Sequence, residues 1–210
     1  MSFADMTVRG FLDELASQSP APGGGSASAV AGAMGVGLAA MVAGLTDTSG
    51  MRAEDAGRVE EVRQKSKGLM EALLRCADDD TAAFNEVMKA FKLPKATDEE
   101  KRVRREAIQL ALKGAVSAPR ITLQLAAEGM QMAAHMAELG NDNAASDAGV
   151  GALLLDTAMG GAIFNMQINL ASIKDQDFVA DMRSEIDRFA QVRDELRQRA
   201  VCSVTRRIGS

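Results

Sequence analysis

The chain has 210 residues, a formal net charge of -5, two cysteines, and no tryptophan or tyrosine. An acidic chain with few aromatic rings lacks the basic patch and stacking rings of a nucleic-acid-binding surface. Two distant cysteines give neither a disulfide framework nor a zinc site. We therefore expect a single domain over residues 1–210, located in the cytoplasm and without contact to nucleic acid or a membrane.

Helical periodicity covers most of the sequence, and the alternating pattern of strands is almost missing from it. This predicts an all-α, single-domain bundle of about seven helices with a long central helix. The predicted helices cover residues 5–17, 26–47, 53–91, 98–117, 120–139, 146–172 and 176–205. Pro119 separates the fourth helix from the fifth, because proline removes a backbone N–H from a helix interior. Thr97 and Glu100 predict a capping box where the fourth helix begins.

A Pro-Gly-Gly-Gly-Ser turn at residues 22–26 opens the second predicted helix. The amides of the first helical turn are unpaired and lie at the positive end of the helix dipole, so this turn could bind an anion or a polar ligand. The alternative is structural, with glycines that break the chain and Ser26 as the N-cap. The helix that follows is uncharged and rich in small residues. This composition favours a buried central helix over a membrane span, although its length would suit either.

Asp80 interrupts an apolar stripe on the third predicted helix. One row of that stripe repeats every seven residues, and the neighbouring row contains the aspartate: Met70, Ala77, Phe84 and Phe91, then Leu73, Asp80 and Val87. Burying an unpaired carboxylate costs several kcal/mol, so a buried Asp80 needs either a specific hydrogen-bond partner or a chemical role. The two explanations stay open on sequence alone.

The sixth predicted helix mixes polar groups with glycines on one face. Residues at three- or four-residue steps along it are Asp147, Gly151, Leu154, Ala158, Gly161, Asn165 and Asn169. If Asp147 converges with Asp80, the two carboxyls could act as acid and base in proton transfer. The alternative is a network of hydrogen bonds between helices.

Four segments together resemble the cyclodeaminase/cyclohydrolase family of folate enzymes: residues 19–46, 78–101, 140–155 and 164–170. The resemblance implies a helical domain that forms a homodimer and binds a reduced folate. It implies either release of ammonia from 5-formiminotetrahydrofolate to give 5,10-methenyltetrahydrofolate, or hydration of the methenyl form to 10-formyltetrahydrofolate. No metal or redox cofactor is implied, and a formiminotransferase is a further partner to consider.

The residues that match the motifs of this family are the candidate site residues, and their individual roles are a hypothesis based on the carboxylates in apolar stripes and on the chemistry that the reaction requires. We expect Asp80 and Asp147 to be catalytic, and the substrate to contact Gly23, Gly24, Gly25, Ser26, Lys95, Asn141, Ser146, Asn165 and Asn169. Phe84, Phe91 or Phe164 would support the pterin ring, while Lys95 or the basic cluster at residues 101–105 would hold the glutamate tail. The residues of the glycine-rich and Phe-Asn motifs favour the cyclodeaminase. The alternatives are the cyclohydrolase and a non-catalytic helical oligomerisation module.

Overall fold

A computed structural model describes residues 2–209 of the chain. Over this range the chain forms six α-helices and two short 3-10 turns. The helices are α1 (Val8–Leu15), α2 (Gly24–Leu45), α3 (Ala53–Phe91), α4 (Asp98–Leu139), α5 (Ala145–Leu170) and α6 (Gln176–Ile208), and the turns are Phe3–Asp5 and Asp142–Ala144. No strand occurs between residues 2 and 209, so the predicted all-α class is confirmed.

Helix α2 is the centre of the bundle and packs against α3, α4 and α5. Its small residues allow a close approach to α5: a Cβ on Gly35 would lie 2.8 Å from the carbonyl oxygen of Gly151. Gly24 lies beside Asn165, so α2 and α5 run antiparallel. Glycine at this contact lets the two backbones meet directly, which confirms the prediction of a closely packed central helix.

Two helical segments, Gly24–Leu45 and Asp142–Leu170, are long and apolar enough to cross a membrane. Half of the apolar window of α2 is buried inside the protein, and its Val36, Ala39 and Val42 are fully buried. The core helix of a soluble bundle has the same length and composition as a membrane span, so burial accounts for the pattern in α2.

The predicted break at Pro119 is wrong, because α4 continues through this residue from Asp98 to Leu139. An interior proline costs a helix about 3 kcal/mol, since it leaves the carbonyl four residues earlier without its usual donor. Here that carbonyl belongs to Ala115, and the side-chain nitrogen of Asn169 on α5 donates to it over 3.1 Å. Pro119 itself is buried in the bundle. A partner from another helix therefore allows α4 to continue.

Other helix boundaries agree with the sequence to within a few residues. The third predicted helix is found at its predicted bounds, and the capping box of Thr97 and Glu100 is present in both directions. Helix α2 begins at Gly24, two residues earlier than predicted, with Gly23 as its N-cap. Ser26 is therefore inside the first turn, and its predicted capping role is wrong.

Candidate active site

A cleft of about 380 Å³ opens where the N-terminus of α2 meets the C-terminal halves of α3 and α5. Its floor combines backbone, one carboxylate and two side-chain amides, and its walls are apolar. The lining residues are Pro20, Ala21, Gly23, Gly24, Gly25, Asp80, Phe84, Val87, Met88, Phe91, Ala115, Asn165, Ile168 and Asn169. Such a mixture of apolar walls and few polar groups is typical of a small-molecule site.

Asp80 projects from α3 towards the first turn of α2. A Cβ on Gly25 would overlap the Asp80 carboxylate, so only glycine permits this approach. Burial raises the pKa of the Asp80 carboxyl above its ordinary value, while hydrogen bonds from the Ser26 side chain and backbone amide partly offset the rise. A carboxyl whose charged form is disfavoured becomes a stronger base and remains protonated to higher pH. It is therefore suited to proton transfer.

Ser26 is fully buried between α2 and α3. Its hydroxyl donates to the carbonyl of Ala77 over 2.8 Å, and it lies 3.3 Å from the Thr81 hydroxyl and 3.4 Å from an Asp80 carboxylate oxygen. Since a hydroxyl has a single proton, the short bond to Ala77 is the stronger one. The expectation that Ser26 contacts substrate is wrong, because the residue has no exposed surface. Its contacts instead connect the two helices beneath Asp80.

The first turn of α2 borders the same cleft. Gly23, Gly24 and Gly25 all line it. First-turn N–H groups have no acceptor within their own helix, and the helix dipole is positive at this end. The cleft therefore presents backbone donors close to the Asp80 carboxylate.

Asn165 and Asn169 supply the two amides of the cleft from α5. Asn165 donates its side-chain N–H to the carbonyl of Gly161 over 2.8 Å, and Asn169 donates to the carbonyls of Ala115 and Asn165 over 3.1 and 2.9 Å. Backbone carbonyls only accept, so the side-chain nitrogens must face them. No described residue donates to either side-chain oxygen, and both oxygens are left as acceptors at the cleft.

Asp147 does not share this cleft with Asp80 in one chain. It lies in the first turn of α5, whereas Asn165 lies near the other end of the same helix. At about 1.5 Å per residue the two are separated by about 27 Å along the helix axis. The predicted convergence of Asp80 with Asp147 within the chain is therefore wrong. Local periodicity identified two polar faces but did not fix which ends of the helices meet.

Asn141 and Ser146 also lie at this remote end. The Asn141 backbone amide donates to the Thr46 hydroxyl over 3.0 Å, and its side chain donates to the carbonyl of Leu45 over 2.8 Å. These bonds close the C-terminal end of α2. Asn141 therefore has a structural explanation, and Ser146 is exposed beside it rather than in the cleft.

Lys95 is exposed in the turn after α3 and does not line the cleft. Arg104, from the predicted basic cluster, is closer to the cleft: its guanidinium donates to the carbonyl of Phe91 over 3.1 Å and lies 5.9 Å from the centre of the Phe91 ring. Lys101 and Arg102 of the same cluster pair with acidic neighbours on α4.

Sequence reasoning missed six lining residues: Pro20, Ala21, Val87, Met88, Ala115 and Ile168. Met88 follows Phe84 by four residues and Ile168 follows Asn165 by three, so helical spacing from the predicted residues would have found both. Ala115 carried no such signal. Residues 2–209 contain no cluster of three or more His, Cys, Asp or Glu side chains that could hold a metal ion. The polar groups of the cleft instead suit an organic ligand with N–H donors.

A desolvated carboxyl beside two oriented amides in an apolar cleft is typical of a small-molecule enzyme site at which protons are transferred. Residues 7–188 match the formiminotransferase-cyclodeaminase family, and the chain belongs to that family. The predicted resemblance is confirmed.

Named relatives cover most of the chain. It is 40% identical over 181 residues to the methenyltetrahydrofolate cyclohydrolase of Methylorubrum extorquens, which covers 86% of this chain and 87% of that protein. It is 36% identical over 200 residues to the formimidoyltransferase-cyclodeaminase of Dictyostelium discoideum, covering 94% of this chain but 36% of that longer protein. The solved formiminotetrahydrofolate cyclodeaminase of Thermotoga maritima has a TM-score of 0.84 at 29% identity, covering 96% of both chains.

Proposed function

We propose that the protein is a methenyltetrahydrofolate cyclohydrolase, which converts 5,10-methenyltetrahydrofolate and water to 10-formyltetrahydrofolate. The observation that carries this proposal is the Asp80 carboxyl, which is the titratable side chain among the described residues lining the cleft. Its raised pKa suits a group that both accepts and returns a proton. The chain is 40% identical to a cyclohydrolase over most of both proteins, which supports this choice. The residues of the sequence motifs had favoured the cyclodeaminase instead.

One carboxyl is enough for this reaction. The Asp80 carboxylate removes a proton from water while the water oxygen bonds to the methenyl carbon, giving a neutral tetrahedral adduct. Protonated Asp80 then donates to N5 as the bond between that carbon and N5 breaks. The hydroxyl of the adduct loses its proton to solvent as the formyl C=O forms. The reaction therefore converts a cationic substrate into a neutral product and releases one proton. It needs no second carboxyl such as Asp147.

The charge and shape of the cleft support the same ligand. The methenyl ring is cationic, and the carboxylate of Asp80 favours positive charge beside it. The side-chain oxygens of Asn165 and Asn169 can accept from N–H groups of the reduced pterin. Phe84 and Met88 supply apolar surface against which a ring can pack. We therefore assign substrate contact to the glycine turn, Asn165 and Asn169, and proton transfer to Asp80.

The cyclodeaminase is the second candidate, favoured by the solved relative that covers 96% of the chain. In that reaction N10 attacks the protonated formimino carbon, Asp80 removes the proton from N10, and the same proton passes to the amino group that leaves as ammonia. The product is the methenyl cation, which is the substrate of the cyclohydrolase reaction. Both reactions pass through a tetrahedral adduct at the same carbon, so the cleft suits either.

Rates with both substrates test the proposal. We expect the purified protein to consume the methenyl chromophore at neutral pH with a kcat/KM well above that for forming it from 5-formiminotetrahydrofolate. The D80N variant should lose this activity, and D79N is its control because Asp79 is the exposed neighbour of Asp80. The reverse preference would establish the cyclodeaminase. Rates equal to the spontaneous reaction with both substrates would reject an enzyme of either kind.

Arg104 is better placed than Lys95 to bind the glutamate tail of a folate. It sits on Phe91, about 16 Å along α3 from Asp80, so a ligand with its heterocycle at Asp80 would direct its tail towards this end. Two of the five guanidinium N–H donors bind the Phe91 carbonyl, and the others can bind carboxylates. We expect R104Q to raise KM about tenfold with kcat unchanged, while R105Q leaves KM unaltered. An unchanged KM in R104Q would reject this assignment.

We also propose a homodimer through the outer side of α2 and α5, called here the α2/α5 face. The exposed residues of these two helices include no charged side chain, and most are apolar, beside the polar Ser146, Thr157 and Gln167. The large apolar ones are Met34, Met41, Leu45, Val150, Leu153, Phe164 and Ile168. Two antiparallel helices side by side over a shared length of about 33 Å offer roughly 650 Å², close to the share of one partner in a stable interface of about 800 Å² per side. The same apolar face on both copies suits a two-fold contact.

Light scattering coupled to size exclusion tests the homodimer. We expect a dimer mass for the wild type and a monomer mass for M41D, because a two-fold contact would bury both introduced carboxylates without a partner. L110D is the matched control, since Leu110 is an exposed leucine on α4. A monomeric wild type, or a dimeric M41D, would reject the interface.

A further inference from the structure

Pro119 interrupts the hydrogen-bond ladder of α4 beside the cleft. A proline has no N–H, so the carbonyl of Ala115, four residues earlier, receives no bond from it. Ala115 lines the cleft, and its carbonyl accepts from the Asn169 side chain over 3.1 Å instead. An interior proline in a helix of this length needs a reason, and the contact between these two helices supplies one.

The contact fixes which way the Asn169 amide points. Its NH2 group also donates to the carbonyl of Asn165 over 2.9 Å, so both of its partners are backbone acceptors. The nitrogen must therefore face α4 and its own helix, and the oxygen must lie on the opposite side. Within residues 2–209 no group donates to that oxygen, while Asn169 itself lines the cleft.

We infer that Pro119 is a positioning residue: by leaving the Ala115 carbonyl free, it holds the Asn169 amide with its oxygen available to an N–H donor of the ligand. An alanine at position 119 would restore an N–H that bonds to the Ala115 carbonyl within α4. Asn169 would then lose one of its two anchors and its amide could turn over. The inference on orientation stands on the helix contacts, whereas its kinetic consequence rests on the proposed function.

The kinetic test compares P119A with G114A. Both replacements raise the helix propensity of α4, and a Cβ on Gly114 meets nothing within 4 Å. We expect both variants to keep or raise the melting temperature. P119A should lower kcat/KM about tenfold, mainly through KM, whereas G114A should match the wild type. An unaltered kcat/KM in P119A would overturn the inference.

A double-mutant cycle separates positioning from a general effect on the bundle. If Pro119 acts through Asn169, P119A should cost less than about twofold in kcat/KM once N169A is present. A further tenfold loss in the double variant would mean that Pro119 acts independently, and would overturn the inference.

A substrate-free measurement keeps the inference testable if neither folate reacts. The side-chain amide protons of Asn169 can be identified in a nitrogen–proton correlation spectrum by their loss in N169A. We expect both to resonate at hydrogen-bonded positions in the wild type and in G114A, and one to move towards the position of a free amide in P119A. Unchanged resonances in P119A would overturn the inference, whatever the outcome of the rate measurements.

Discussion

The two ends of the α2–α5 helix pair carry similar residues and use them differently. At the cleft end, the N-terminus of α2 lies directly against Asp80 and beside Asn165, and all three line the open cleft. At the remote end, the C-terminus of α2 is closed by Asn141, which donates to the carbonyl of Leu45. A helix C-terminus presents acceptors that an asparagine can satisfy, whereas an N-terminus beside glycines presents donors that stay available. The same polar residue types therefore build structure at one end and a site at the other.

The largest expected contrast between the two ends is in turnover. D80N removes the base but keeps the shape of the side chain, so kcat should fall about 100- to 10,000-fold. D147N lies at the remote end and should retain the wild-type rate within about twofold, because one carboxyl completes the proposed proton transfers. Steady-state rates with both folates measure the two effects.

The contrast would fail in either of two ways. Near-normal turnover in D80N would remove that residue from the mechanism. A loss in D147N comparable to that in D80N would show that the remote end takes part in catalysis, for instance through a second copy of the chain.

Sequence patterns predicted most of the helices and the special position of Asp80, but not the distance between Asp80 and Asp147. Helical periodicity distinguished Asp80 from its neighbours, and the structure agrees: Asp79 is exposed, while Asp78 accepts from the Ser2 hydroxyl and the Phe3 amide. Periodicity could not predict that Asp147 lies far from Asp80, because it describes one helix at a time and carries no information on how two helices align.

Pro119 shows a second limit of local rules. The rule that proline ends a helix is sound for an isolated segment, but a donor from Asn169 in another helix removed part of the cost. Ser26 shows a third, since the preference of serine for N-caps was outweighed by its buried bond to Ala77. The cytoplasmic location and the lack of a cofactor stay predictions.

A smaller contrast is expected within the glycine turn itself. A Cβ at Gly25 would overlap the Asp80 carboxylate, whereas a Cβ at Gly24 would lie 3.7 Å from the Asn165 side chain, an ordinary contact. G25A should therefore displace Asp80 and lower kcat about 100-fold, since a misplacement of about 1 Å has this effect on a catalytic group. G24A should stay within a few-fold of the wild type.

Thermal unfolding distinguishes this effect from misfolding. Alanine favours a helix over glycine, so G25A should lose activity without a fall in melting temperature. If G25A melts well below G24A, the first turn of α2 has been disrupted and Gly25 is a packing residue rather than one that makes room for Asp80.

The smallest expected effect is the pH dependence of stability at the cleft end. Burial holds the pKa of Asp80 above the value of 3.8 for an unperturbed aspartate. The folded protein therefore binds this proton more tightly than the unfolded chain, and the contribution of Asp80 to stability is present below the unfolded pKa and lost as pH rises through the folded pKa.

The D80N variant has no charge to bury at this position. Its advantage in the free energy of unfolding over the wild type should be negligible below pH 3.8 and should grow on going towards neutral pH; D79N, which replaces the exposed neighbour, is the control. Urea titrations of the three proteins across this range measure it. An advantage of D80N that shrinks as pH rises would mean that the folded state stabilises the ionised carboxylate, contrary to the desolvation that makes Asp80 a proton carrier.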